Sequence, residues 1–300
     1  MSSVLDMVGK TPILKLTKIN NTKATILAKF EALNPSGSIK DVMALYMTKK
    51  AENNGVLKPG GKIIEETSGN TGISFAMIAA LKGYKFVAVM PEHMSKERRQ
   101  MMQAFGADIV LTPEKEGFFG AFEKLEQLAK ENTDAWIPRQ FENTDNTDAH
   151  RDITGKSILE KVDGKIDAFV SGVGTGGTLM GVAQALKQVH HNVKIVAVEP
   201  AESAVMSGEE PNNHIIQGIG PGFIPSLVDM NIIDEVIKIK GNDAADMTRR
   251  LLKEEGLMVG FSSGANILAS LQVAEKLGGG KTIVTILPDR GERYFSMNLI

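Results

Sequence analysis

IDAFVSGVGTGGTLMGVAQALKQV, residues 166–189, passes from a short apolar run through a glycine-rich turn into an amphipathic pattern. Ile166–Val170 is nearly continuous in apolar side chains, as a strand buried on both faces is. Leu179–Val189 spaces its apolar residues as a helix does. A strand handed to a helix by Gly172, Gly174, Gly176 and Gly177 is the repeating unit of an open α/β sheet, which places its ligands at the carboxyl ends of its strands. The unit recurs along the chain. Strands are expected at Ile26–Phe30, Phe86–Met90, Val193–Val198 and Thr282–Leu287, with helices at Ile39–Asn53, Thr71–Lys82, Glu97–Phe105, Phe118–Lys130, Asp243–Glu254 and Ala265–Leu277. Alternation of this kind predicts an α/β fold with mainly parallel sheets flanked by helices.

Three of the turns carry chemistry. Gly172, Gly174 and Gly177 satisfy G-x-G-x-x-G, and Glu199 ends the next strand at the distance of a ribose-binding acid, which suits a dinucleotide oxidoreductase. The same loop, dense in glycine and threonine, also suits the cradling of one phosphate monoester, and the motif alone does not choose. Thr67-Ser68-Gly69-Asn70-Thr71-Gly72 follows the strand Lys62–Glu66 and opens a helix, where free N–H groups and hydroxyls make either an anion site or a plain cap. Asn34-Pro35-Ser36-Gly37-Ser38-Ile39-Lys40-Asp41 sets a lysine in the first turn of a helix, against the helix dipole. A lowered pKa and a nucleophilic amine are what such a position offers; a solvated surface lysine is the alternative.

Composition narrows the field. The 300 residues suggest about two domains. With 42% hydrophobic and 23% charged residues the chain is an ordinary globular one, and a formal charge of −2 without a basic stripe argues against nucleic acid or an anionic membrane. Zero cysteines remove disulfides, thiolate metal sites and a cysteine nucleophile. No apolar run reaches membrane-spanning length and the start lacks a secretory pattern, so a cytoplasmic location is expected. His93, His150, His190, His191 and His214 are scattered without ligand spacing, so no metal is expected and none is given a role; the methionines, Met90 and Met94 among them, read as core filler.

Taken together, the loops resemble those of the cysteine synthases, or O-acetylserine sulfhydrylases, of the pyridoxal-phosphate β-replacement family, with its fold-type II, tryptophan synthase β-like architecture. The resemblance runs from Val8–Ile13 to Leu287–Tyr294 and takes in Met90–Arg99, Gln140–Asn143, Val198–Ser203, Gln217–Pro225 and Gly260–Ala265. It implies pyridoxal phosphate as cofactor, bound as an internal Schiff base by Lys40, which then moves protons at the substrate α-carbon. Asn70 would meet the ring hydroxyl, Gly174, Thr175, Gly176, Gly177 and Thr178 the phosphate, and Ser262 the pyridine nitrogen. Thr67, Ser68, Thr71 and Gln140 would hold the substrate carboxylate.

The implied reaction converts O-acetyl-L-serine and sulfide to L-cysteine and acetate through an α-aminoacrylate, with the cofactor between two domains. Residues 37–146 would form a small mobile substrate-binding domain, and residues 1–36 with 147–300 a large domain for the cofactor phosphate. The resemblance also implies a homodimer, and a serine acetyltransferase C-terminal peptide as possible partner. Val42 stands where the family has Arg, putting a supporting ion pair in question, and Arg290 stands where many members have Ser, as in a thiosulfate-using branch. Replacement with another donor or nucleophile, giving S-sulfocysteine or cystathionine, a serine or threonine dehydratase, a nicotinamide oxidoreductase and a turnover-free binding protein are the alternatives.

Overall fold

The computed structural model describes residues 3–92 and 95–300. β1 (Ile13–Lys15) and β2 (Thr25–Phe30) pair antiparallel, and α1 (Lys40–Asn53) follows. β3 (Lys62–Glu66), α2 (Asn70–Lys82), β4 (Lys85–Pro91), α3 (Lys96–Ala104), β5 (Asp108–Thr112) and α4 (Gly117–Glu131) then alternate. α5 (Asp145–Ala149), a π-helical stretch His150–Gly155 and α6 (Lys156–Lys161) succeed one another without a break. The remainder comprises β6 (Ala168–Gly172), α7 (Gly177–Val189), β7 (Lys194–Pro200), β8 (Glu235–Ile239), α8 (Gly241–Arg250), α9 (Phe261–Leu277), β9 (Thr282–Leu287) and a closing 3₁₀ segment, Gly291–Met297.

The strands form two sheets. One is six-stranded in the order β1-β2-β9-β6-β7-β8, parallel apart from β1; the other is the parallel trio β3-β4-β5. β9, TIVTIL, sits between β2 and β6 with Ile283, Val284, Ile286 and Leu287 all buried, which is why its apolar run does not alternate. Two apolar layers cover the large sheet. Ile26, Val170 and Val198 pack with α9 residues such as Ile267 and Val273 on one side, and Phe169, Ile195 and Val284 pack with Leu179, Val182 and Leu186 of α7 on the other. Ile63, Phe75, Phe86 and Trp136 fill the main core of the small sheet, with Phe75 edge-on to Trp136 at 5.9 Å between centroids. Both sheets direct the carboxyl ends of β3, β6 and β9 toward the turns singled out above.

Some details depart from the sequence reading. The stretch at residues 142–148 is polar and rich in turn formers, yet it runs into α5, where Asn146, Thr147 and Ala149 are buried between α1 and α7. The division between residues 146 and 147 therefore falls inside a helix. β1, β5 and β8 are short or carry exposed charged residues, which hid them among the loops. His93 and Met94 lie outside the described residues.

Candidate active site

Lys40 is the first residue of α1, and the loop before it is tied down atom by atom. Asn34 accepts the N–H of Gly9 at 2.8 Å and donates to the Glu31 carbonyl at 2.9 Å. Arg290 donates from Nε to the Ala32 carbonyl at 2.9 Å, and its N–H donates to the Gly37 carbonyl. Asp41, buried behind Lys40, accepts Ser36 N–H at 2.7 Å, the Ser36 hydroxyl and the Ser74 hydroxyl at 2.5 Å. Burial pushes its carboxyl pKa up, while those bonds and the charge of Arg293 pull it down. Val42 is fully buried, so the support expected of an ion pair at that position comes instead from two serines and the field of Arg293. The Lys40 amine lies below its ordinary pKa because burial disfavours its charge, with the charge of Asp289 opposing.

The turn at residues 174–178 is built to receive an anion. Among the hydrogen bonds of the described residues, none uses the N–H of Gly174, Thr175, Gly176 or Thr178. They lie in the turn that leads into α7 and in its first turn, where the helix dipole favours negative charge. Gly176 sits at φ +87°, and a Cβ on Gly174 would strike the carbonyl of Gly218, so the turn tolerates no bulk. Unsatisfied donors in a sterically bare cradle fit the phosphate of pyridoxal phosphate. Thr175 is held by Asn146, whose Nδ2 donates to its hydroxyl at 2.9 Å and to the Gln140 carbonyl at 2.8 Å.

A second set of open donors lies at the start of α2. The hydroxyl of Thr67 accepts the N–H groups of Gly69 at 3.3 Å and Gly72 at 3.1 Å and so shapes the turn. The N–H groups of Ser68, Asn70 and Thr71 take no partner among the described residues. Thr71 donates to Gln140 Oε1 at 2.7 Å, and Gln140 Nε2 donates to the Glu66 carbonyl at 3.2 Å. Gln140 itself hangs from Arg139, a non-glycine residue at φ +55° whose N–H donates to the buried Glu65 carboxyl group at 2.8 Å.

Asn70 faces the C-terminal run. Its Nδ2 donates to Asp289 Oδ2 at 2.7 Å while Arg293 donates to its Oδ1, which fixes the amide and leaves one N–H free. Tyr294 also donates to Asp289 Oδ2, at 2.6 Å, and Arg98 of α3 stacks on the Tyr294 ring and donates to its hydroxyl at 3.1 Å. Ser262 is the second residue of α9; Gly260 occupies the N-cap, so the serine is not the cap, and its hydroxyl has no partner among the described residues. Gly260 donates its N–H to the Asp289 carbonyl at 3.2 Å, which brings Ser262 and Asp289 together.

These contacts run on from one another: Asp289 to Asn70, Thr71 to Gln140, Gln140 to Asn146, Asn146 to Thr175, and Thr178 to His150 at 3.3 Å. His150 in turn senses Lys40: burial first, and the lysine charge second, hold its pKa down at about 3. All the site residues named from sequence, Lys40, Asn70, Gly174–Thr178, Ser262, Thr67, Ser68, Thr71 and Gln140, are thus linked to one cleft region through their own contacts or those of their turns. His150, Asn146 and Asp289 were not singled out by sequence, since each reaches the site from a different element and none belongs to a glycine turn. Glu199 cannot serve a ribose as the dinucleotide reading required. Its carboxylate accepts the N–H of Met206 at 2.8 Å, the N–H of Ser207 at 3.1 Å and the Ser207 hydroxyl at 2.6 Å. No cluster of metal-ligating side chains occurs among the described residues.

The family model described as "Pyridoxal-phosphate dependent enzyme" matches residues 4–289. A cysteine synthase of Staphylococcus aureus (strain Mu50) is 48% identical over 301 aligned residues, covering 100% of this chain and 97% of that protein. The crystal structure of a cysteine synthase from Entamoeba histolytica superposes with a TM-score of 0.96 at 45% identity, over 100% of this chain and 90% of that one. An O-ureido-L-serine synthase structure reaches a TM-score of 0.96 at 41% identity, over 100% of this chain and 95% of that one.

Proposed function

The chain belongs to the family of pyridoxal-phosphate dependent enzymes, and from that premise we propose that Lys40 carries the cofactor in a β-replacement that turns O-acetyl-L-serine and sulfide into L-cysteine and acetate. It is an enzyme, and pyridoxal phosphate is its cofactor. The observation that carries the reading is that two sets of unpartnered N–H donors, at Ser68, Asn70 and Thr71 and at Gly174, Thr175, Gly176 and Thr178, belong to one contact network with the loop that presents the buried Lys40. One set suits a phosphate and the other a carboxylate, the two anions that cofactor and amino acid bring.

When bound, pyridoxal phosphate supplies an acceptor for the electron pair left at the substrate α-carbon. The protein's share is placement. The N–H groups of Gly174, Thr175, Gly176 and Thr178, with the hydroxyls of Thr175 and Thr178, would hold the phosphate, and the free N–H of Asn70 would meet the ring hydroxyl. Ser262 offers the ring nitrogen a neutral hydroxyl, which does not force protonation as an aspartate would, and so favours departure of a good β-leaving group over prolonged charge at the α-carbon. Ser68, Asn70 and Thr71 N–H groups, with the hydroxyls of Thr67, Ser68 and Thr71 and the amide of Gln140, hold the substrate carboxylate. The freed Lys40 amine takes the α-proton and returns it to the product. Residues 37–146 act as the mobile small domain, closing on residues 1–36 and 147–300 to keep water out.

The working protein in this proposal is a cytoplasmic homodimer. The donors at 67–71 would also take the terminal carboxylate of a serine acetyltransferase peptide, in competition with the amino acid. The test is product formation from O-acetylserine and sulfide, together with borohydride fixation of cofactor. Wild type should retain fixed cofactor on the Lys40 peptide, and Lys40→Ala should retain none. A label elsewhere, or no cysteine formed, overturns the reading.

A further inference from the structure

We propose that Asp289 is a catalytic residue of this reaction, its free carboxylate oxygen receiving the ε-ammonium of Lys40 after that amine has left the cofactor and taken the substrate α-proton. This rests on the reading of Lys40 as the cofactor lysine.

The argument begins with an imbalance within one side chain. Asp289 is 1% exposed; its Oδ2 accepts from both Asn70 and Tyr294, at 2.7 and 2.6 Å, whereas its Oδ1 is buried with no partner among the described residues. Leaving a buried carboxylate oxygen unpaired is costly, so a donor that arrives only at one stage of turnover accounts for it better than a structural role, which Oδ2 alone already fills. That oxygen lies against the α-carbon of Gly260, where a Cβ would collide with it, and Gly260 is the N-cap of the helix that carries Ser262. It therefore lies beside the turn that leads into Ser262.

The backbone brings Lys40 to the same place. Ser38 bridges antiparallel to Asp289, and Ile39 N–H donates to the Pro288 carbonyl at 2.8 Å, so the lysine leaves the chain immediately beside the aspartate. His150 faces Lys40 from the π-helical stretch and is held neutral. Tyr294 and Arg98 gather around Oδ2. Arg293 bridges Asn70 and the Ser36 carbonyl of the loop that presents Lys40. Asp289 is the group whose charge favours the ammonium of Lys40 against burial.

The proton balance is complete. The C–H bond at the substrate α-carbon breaks, its electron pair stays with substrate and cofactor, and the proton bonds to the neutral Lys40 amine. The resulting cation stands against the Asp289 carboxylate. The proton goes back to the α-carbon when the sulfur nucleophile has added.

The experiment uses the full chain stripped of cofactor, so that it reads the Lys40 amine and not turnover. Brief acetic anhydride pulses across a pH series, with acetylation of the Lys40 peptide quantified by mass spectrometry, give the midpoint of that amine. Asp289→Asn keeps an oxygen for Asn70 and Tyr294 but removes the charge. The midpoint should fall by about one pH unit, a roughly tenfold gain in reactivity at a fixed pH below it. Asp289→Ser, smaller and still an acceptor for Asn70, should do the same and stands in if the first variant does not fold. An unchanged midpoint in a folded variant overturns the proposal, because a purely structural aspartate alters melting without moving this titration. Failure of both variants to fold overturns it as well, by making the carboxylate a structural requirement. Borohydride fixation on wild-type holoenzyme reports separately on whether Lys40 carries the cofactor, so the two readings fail independently.

Discussion

Lys29 and Glu31 face each other at 3.2 Å with both side chains wholly buried. Burial lowers the lysine pKa and the neighbouring carboxylate opposes that shift. The pair is satisfied by more than its own charges: Lys29 donates to the Thr11 hydroxyl at 2.7 Å, and Glu31 accepts from Thr11 at 2.9 Å and from Asn34. Because Asn34 heads the loop that presents Lys40, these residues fasten that lysine to the large sheet. Lys29→Met leaves Glu31 charged and buried, and should cost about 3–5 kcal/mol in urea unfolding, with Lys29→Met/Glu31→Gln recovering roughly half. Equal stability of Lys29→Met and wild type would show that the pair contributes nothing. At this scale the sequence exposes residues that sit in turns and conceals those that meet across the fold. Lys40, Thr67–Thr71 and Gly174–Thr178 could be named because a glycine-rich turn after a strand has few uses. Asp289 and His150 could not, since nothing local says what Oδ1 of one or the ring of the other will face.

Between α7 and the π-helical stretch His150–Gly155, glycine replaces side chain as the packing device. A Cβ on Gly181 would run into the carbonyl of Thr147 and come within 2.7 Å of the Arg151 N, both backbone atoms that cannot rotate aside; Gly155 meets Ala185 across the same seam. The approach positions His150 against Thr178 and Asn146 against Thr175. Gly181→Ala gains helix propensity worth about 1 kcal/mol yet should destabilise by about 1–3 kcal/mol through overpacking, and should weaken cofactor retention, measured by dialysis of the holoenzyme. A melting temperature equal to or above wild type would refute the close-packing account. Strong elements such as α2, α4 and β9 were legible from periodicity. The α5 start was not, because residues 142–148 are polar and their burial depends on partners, α1 and α7, distant in sequence.

For the whole molecule, buried ionisable groups set opposing limits on pH. His150 is neutral in the fold, its pKa held at about 3 against an ordinary 6.5, so its contribution is present above 6.5 and is lost as pH falls toward 3. Glu65 and Glu66 are pushed up to about 8 from 4.5, by burial first and, for Glu65, by the neighbouring charge of Glu66. They are protonated in the fold, and their contribution is present below 4.5 and lost as pH rises through 8. Glu66→Gln, at a carboxyl whose Oε1 has no partner, fixes the neutral form. It should match wild type near pH 5 and exceed it by about 2–4 kcal/mol near pH 9, at about 1.4 kcal/mol per pKa unit. Identical urea midpoints at the alkaline end would mean that Glu66 is not the group that titrates. The two-sheet architecture was legible from the strand and helix alternation, but strand order was not, because β9 enters between β2 and β6 from the far end of the chain.

That late insertion fixes a timetable for biosynthesis. β3, β4 and β5 and their helices are complete by residue 131 and can assemble while the ribosome is still working, whereas β2 and β6 wait for β9, at residues 282–287, to fill the gap between them. Asp289, Arg293 and Tyr294 emerge later still. A nascent chain stalled before residue 282 should show a protease-resistant fragment from the small sheet alone, and a cleavable remainder. Lys40 is among the early residues to leave the tunnel, yet it has no finished surroundings until β9 and the segment after it are made, so a cofactor proposed to sit there would be captured by the completed polypeptide.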